Sequence, residues 1–181
     1  LITEAGSYRL YEAPTTGYTG LVGIAERRSA ATQGSLFQQN RAWARTTGPA
    51  DAAYIRWDYP AERDGPSPVA PRRPCPDGRR AAEEQFAPGR IRAVVRCSEA
   101  ATLLFKTSYH PNWVVTVDGT AAEPYMASPS YLAVDLPAGE HVVVAEYRSH
   151  PLKVPLLLVG AIAALGIAGG PAIWRRARKR S

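Results

Sequence analysis

From Arg90 to Ser149 the chain alternates apolar and polar positions in short runs separated by turn residues. "IRAVVRCS", "ATLLFKTSYH", "NWVVTVDG", "AEPYMAS", "YLAVDLP" and "EHVVVAEYRS" follow one another with no helical spacing between them. A period of two with β-branched and aromatic residues predicts strands, and strands this close in sequence predict antiparallel pairing. Trp113, Val115 and Val117 fall on one face of their strand, while Val142, Val144 and Glu146 alternate with Val143, Ala145 and Tyr147. Asp118-Gly119 and "LPAGEH" (136–141) mark tight turns. An isolated sheet would leave an apolar face in water, so the expected fold is mainly β, an antiparallel β-sandwich or jelly-roll.

The earlier half is less regular. Residues 7–28 read as extended chain; Gly17, Gly20 and Gly23 are turn or bulge glycines, because no βαβ pattern surrounds them to make a dinucleotide fold. Residues 35–46 predict a short helix with Leu36, Phe37, Asn40 and Trp43 near one face, and "AAYIRWDY" predicts a strand ending at Pro60. Residues 60–90 are rich in Pro, Gly and Arg and read as a long loop insertion. Its Arg72, Arg73, Arg79 and Arg80 are candidates for a phosphate or pyrophosphate, although a solvated loop is the simpler reading.

The pattern changes again at Val154. "VPLLLVGAIAALGIAGGPAIW" runs 21 residues to Trp174 without a charge, and nine of them are Leu, Ile or Val. As a helix it would rise about 31 Å, close to the ~30 Å hydrocarbon core of a bilayer. One transmembrane α-helix is therefore expected over 151–174, after an extracytoplasmic domain over 1–150 and before a basic tail over 175–181. Gly166 and Gly170 leave a G-x-x-x-G for packing against other spans.

Charge supports that division. The formal net charge is +6, but Arg175, Arg176, Arg178, Lys179 and Arg180 supply five of those charges, leaving 17 basic against 16 acidic residues in 1–174. The basicity is a membrane-flanking cluster, which argues against a nucleic-acid partner and places the tail in the cytoplasm. "LITEAGSYRLYEA" lacks the features of a signal peptide, so the expectation is a C-terminal piece of a longer membrane protein. Cys75 and Cys97 are the only cysteines, and an exterior location permits a disulfide that would tie the insertion to the strand before "TLLFK".

In order along the chain, "SYHPNWVVTVDGT", "YLAVDLPAGEHVVVAEYR", an apolar stretch and a basic tail resemble the C-terminal extracytoplasmic domain and last transmembrane helix of YfhO-type bacterial membrane proteins. The resemblance rests on Ser108, Tyr109, Pro111, Trp113, Asp118, Gly119, Leu136, Pro137, Gly139, His141, Tyr147 and Arg148, with Asn112 where a glycine is commoner. It implies a polytopic parent similar to GT-C glycosyltransferases, which move sugars from polyprenyl-phosphate donors in the cell envelope. It also implies that the catalytic carboxylate lies in an early loop outside this chain, so no catalytic residue is carried over and the chain itself is not assigned as an enzyme.

Other chemistry is sparsely signalled. Asp118, Glu123, Asp135 and Glu140 qualify as paired carboxylates by residue type only, and most sit near turns. His110, His141 and His150 lack metal-ligand spacing, so neither a metal nor a cofactor is expected. The expected partners are the bilayer, other spans of the parent, and a cell-envelope glycan or polyprenyl-phosphate sugar. The alternative is a single-span surface module, either an assembly domain or one that binds carbohydrate through Tyr109, Trp113, Tyr125 and Tyr131, whose flat rings can stack on sugars or fill a core.

Overall fold

The computed structural model describes residues 3–5, 8–10, 17–67, 70–148 and 155–164. The chain divides into two units, residues 1–147 and 148–181. Among the described residues the first unit comprises β1 (Thr3–Ala5), β2 (Tyr8–Leu10), β3 (Thr19–Ser29), α1 (Gln33–Trp43), β4 (Ala53–Asp58), β5 (Gly65–Ser67) and β6 (Glu83–Ala87). It continues with β7 (Arg90–Cys97), β8 (Ala101–Ser108), β9 (Trp113–Val117), β10 (Thr120–Ala122), β11 (Tyr125–Ala127), β12 (Tyr131–Leu136) and β13 (Gly139–Tyr147).

Two sheets carry the unit, beside a small β1–β2 pair. One runs β10-β9-β13-β7-β6 and is antiparallel throughout. The other runs β4-β11-β12-β8-β3 and closes on itself, because β3 also pairs with β4. The result is a five-stranded ring, a small barrel, so the expected mainly-β class holds while the second layer of the expected antiparallel β-sandwich or jelly-roll is a closed ring. β3 makes this possible through its length. Thr19–Val22 pair with β8, and Gly23–Ser29 pair with β4 across an irregularity between Ile24 and Glu26. A bulge at that point bends the strand and lets it change partners.

The β3–β4 pair is parallel, which corrects the all-antiparallel expectation. A parallel pair needs a crossover, and α1 supplies it. The helix begins with a capping box, in which the Thr32 side chain accepts from the Ser35 backbone N–H and Ser35 reciprocates. Asn40, buried on the inner face of α1, donates to the Pro129 carbonyl at 2.6 Å, and its Oδ1 accepts from the Trp57 indole at 3.2 Å. Phe37, by contrast, stays 61% exposed. The helix therefore docks through this polar latch together with Leu36 and Trp43, which pack against Ala30, Ile55, Trp57 and Met126.

Alternation along the ring strands separates two cores. Leu21, Leu103, Phe105, Leu132 and Val134 point away from the ring axis and pack on Ile91, Ala93, Val95, Val115, Val143 and Ala145 of the open sheet. Val22, Ile24, Leu104, Tyr125, Ala127 and Ala133 fill the ring itself. Each large side chain buried in these layers stabilises the fold by about 1.5–3 kcal/mol.

Residues 60–90 are not simply a loop insertion. β5 pairs with the end of β3, and β6 forms an edge of the open sheet, pairing Glu83–Ala87 with Arg90–Val94. The charged "EEQFA" hid β6 from a hydrophobicity reading; as an edge strand it needs little burial, and charge suits an edge. In the second unit, residues 155–164 are helical. Among the described residues no helix is long and apolar enough to cross a membrane. The expected span over 151–174 thus rests on sequence, and Gly166, Gly170 and Arg175–Arg180 lie outside the described residues.

Replacing Asn40 by Leu should lower unfolding stability by about 1–3 kcal/mol, because the Pro129 carbonyl and one acceptor for the Trp57 indole are lost together. Urea unfolding followed by tryptophan emission measures it, and an unchanged midpoint would refute the latch.

Candidate functional site

Three groups of side chains were brought together by the fold, and they differ in what they can do. The first lies inside the ring. Asp135 of β12 accepts from Thr102 and from the Tyr125 hydroxyl, both at 2.8 Å. Arg72 and Arg56 approach the same carboxylate at 3.2 and 3.6 Å, and the Arg56 guanidinium lies 4.1 Å from the centre of the Tyr125 ring. The Arg56 Nε is buried without a partner. Burial first, and the Asp135 charge second, push the Tyr125 phenol far above its ordinary value. It stays neutral and donates. With its oxygens already engaged by two hydroxyls and two guanidinium groups, Asp135 acts as a brace and not as a general base.

Two of the insertion's four candidate arginines are used in the same way, while Arg73 and Arg80 are exposed. Arg72 also reaches the Ala101 carbonyl at 3.5 Å, and Arg79 donates to the carbonyls of Ala50 and Asp51 at 3.2 and 3.5 Å. Neither is left to cradle a phosphate. Gly23 explains how the loop approaches β3 so closely: a Cβ there would lie 2.5 Å from the Arg72 carbonyl oxygen.

The second group is at one end of the open sheet. Asp118 and Gly119 have φ of +52° and +81°, the two left-handed positions that a type I′ hairpin requires. That turn aims the Asp118 carboxylate at β13, where Oδ1 accepts from the Val142 N–H at 2.8 Å and Oδ2 meets His141 Nδ1 at 2.7 Å. The Asp-Gly turn and the "LPAGEH" turn, separate in sequence, thus clasp each other. The His141 hydrogen bond, then that from Val142, hold the Asp118 carboxyl below the usual carboxylate range. Close by, Cys75 and Cys97 are joined by a disulfide with Cα atoms 5.8 Å apart. Cys75, Asp77 and Cys97 cluster closely, but the bridge occupies both sulfurs.

The third group is aromatic and sits at the opposite end of that sheet. Glu84 of β6 ties the two sheets together: its carboxylate accepts from the Thr19 hydroxyl, from the Thr19 N–H at 2.7 Å and from the Tyr18 N–H at 3.1 Å. Burial works to raise the Glu84 carboxyl, yet these hydrogen bonds and Lys106 bring it below its ordinary value. The tie sets Tyr18 against Phe86, with ring centres 4.2 Å apart. Trp113 donates to the Ser108 carbonyl at 3.2 Å and meets Tyr147 edge-on at 5.3 Å. Between the pairs is a groove of about 350 Å³ bordered by Arg90 and Lys106.

Of the four aromatics expected to meet a glycan, only Trp113 borders this groove. Tyr109 packs against the cores, Tyr125 is buried inside the ring, and Tyr131 packs on the ring interior. Sequence reasoning missed Tyr18 and Phe86, and named Tyr147 only as part of a strand and of the resembling motif, not as a contact residue. Their signal was position: each stands at or beside the end of a strand, where an aromatic ring is not needed for either core. Glu123, Glu140 and His110 are exposed, the His110 Nδ1 accepting from the Asn112 N–H at 3.1 Å. His150 lies outside the described residues.

No family model, curated protein or solved structure matches this chain.

Two outcomes are expected. Asp135→Ala should cost about 2–3 kcal/mol, the low end for breaking a buried pair because the carboxylate is one-third exposed, whereas Tyr125→Phe should cost about 1 kcal/mol. Equal losses in urea titrations would contradict the brace. Asp118, with its folded value below the unfolded one, contributes stability above the unfolded value near 3.8. That contribution is lost as pH falls through the folded value. Unfolding midpoints of the parent chain should therefore drop below about pH 4 more steeply than those of Asp118→Asn; parallel curves would refute the clasp.

Proposed function

We propose that this chain is the non-catalytic C-terminal portion of a polytopic bacterial membrane protein involved in transferring lipid-linked sugars to cell-envelope glycans. On this reading residues 1–150 form an extracytoplasmic β-domain, a sandwich-like pairing of a small barrel with an open sheet. Residues 151–174 form a transmembrane helix, and 175–181 stay in the cytoplasm. The β-domain caps the parent's reaction chamber or guides an acceptor glycan to it.

The observation that carries this reading is the order of parts. A strand-rich unit tied by the Cys75–Cys97 disulfide is followed, after six intervening residues, by 21 uncharged residues and then a tail with five basic ones. Disulfides persist in oxidising compartments, which favours an exterior site for the unit. The basic cluster favours an interior site for the tail. A self-braced interior also supports a non-catalytic role. The carboxylates that could have served as acid or base are engaged by neighbouring donors, as at Asp135 and Asp118, or stand in solvent, as Glu123 and Glu140 do.

Membranes of a bacterium expressing the chain within its full-length parent should give a protein whose two thiols resist alkylation until a reductant is added. A reporter enzyme active only in the cytoplasm should work when fused after Ser181 and fail when fused within the 61–64 turn. Free thiols or the reverse reporter pattern would overturn the proposed topology.

A further inference from the structure

The ends of the strand-rich unit differ in chemistry, and register shows which residues share an end. Along β13, Glu146 and Tyr147 pair with Arg90 and Trp113, while Gly139 pairs with Cys97. The Tyr147 end therefore also carries the turn at Gly89, whose carbonyl accepts from the Tyr147 N–H at 2.8 Å. Tyr18 and Phe86 complete it. Tyr18 is 62%, Phe86 45% and Tyr147 40% exposed, a concentration of uncovered aromatic surface at one place. Arg90, ion-paired with Glu146 at 3.4 Å, and Lys106, which donates to the Gly17 carbonyl, border the rings. The Gly139 end is the reverse. Asp77, Glu99, Asp118 and Glu140 are all exposed there, beside Arg96, with no aromatic ring in the cleft that Asp77 and Glu140 line.

Chain connectivity gives this asymmetry a direction. The polypeptide comes into β3 beside Tyr18 and leaves β13 at Tyr147, so both connections are made at the aromatic end. The uncharged stretch begins at Val154, seven residues after Tyr147. The aromatic end is therefore the end from which the chain continues toward that stretch. Tyrosine and tryptophan concentrate at the membrane–water interface, where the ring meets the acyl boundary and the polar group stays wet. Lys and Arg beside them meet lipid phosphates, whereas the carboxylate-rich end would be repelled by anionic headgroups.

We propose that Tyr18, Phe86, Trp113 and Tyr147, with Arg90 and Lys106, form a membrane-docking face that rests on the headgroup layer of the bilayer and holds the strand-rich unit with its Asp118–His141 end outward. The inference rests on the proposed insertion of residues 151–174 and adds an orientation to it.

The test uses the whole chain carrying Trp174→Phe, reconstituted in vesicles of equal parts phosphatidylethanolamine and phosphatidylglycerol with brominated acyl chains. The difference between its emission and that of the same chain also carrying Trp113→Phe isolates Trp113. Quenching of that difference by roughly half or more is expected, since bromine quenches only indoles at the lipid boundary. Changing the exposed Tyr18 and Phe86 to Ser, which leaves the cores intact, should reduce the quenching roughly twofold. If the chain resists alkaline extraction from the vesicles but Trp113 is not quenched, the docking face is refuted while the membrane insertion stands. Release of the chain by alkali would overturn both. A Trp113 response to N-acetylglucosamine oligomers without lipid quenching would also overturn docking and make the groove a saccharide site.

Discussion

The strand-rich unit is organised around the two-sided pairing of β3. Its first residues hydrogen bond to β8 and the remainder to β4, so one strand both joins the ring and closes it. Closure removes the free edges that an open five-stranded sheet would leave. It also dictates which way side chains face. Leu21 turns outward to the core shared with the open sheet, while Val22 and Ile24 turn inward to line the ring. Because side chains alternate along a strand, a one-residue slip of β3 would exchange these sets and expose both cores at once.

Polar groups complete what closure begins. Where Thr102, Tyr125 and Asp135 meet, the ring is held by a hydrogen-bonded set capped by two arginines. Asn40 does comparable work beneath α1, and Glu84 at the junction of the sheets. Each places a buried or half-buried acceptor opposite donors that would otherwise lose their water, which makes these positions less replaceable than their modest size suggests.

Six of the seven strands from Arg90 on, all but the short β10, were legible in the sequence as β-branched and aromatic runs bounded by turn residues. So was the I′ hairpin at Asp118-Gly119, where backbone conformation is nearly dictated by residue type. The ring was not legible. Nothing in "TGLVGIAERRS" distinguishes a strand with one set of partners from a strand with two, and the parallel β3–β4 pair depends on a crossover helix of weak amphipathicity. β6 escaped notice for the opposite reason: two glutamates and a glutamine in five residues read as solvent. The site was less legible still. Trp113 stood out inside a conspicuous motif, but Tyr18 and Phe86 meet only because Glu84 draws β6 to the start of β3.

The Pro- and Arg-rich stretch illustrates how tethers redistribute freedom. Arg72 is hydrogen bonded to Ile24, Cys75 is bridged to Cys97, and the Arg79 carbonyl receives the Leu21 N–H. What reads as one long excursion is therefore stitched down at short intervals into several small bows. Grafting a peptide or a label is thus best confined to the exposed crest at Glu62 and Arg63, between the Ala61 N–H bonded to Ala30 and the Asp64 carboxylate that meets Ala31. An insertion at any stitch would pull on β3, and through it on the closed ring.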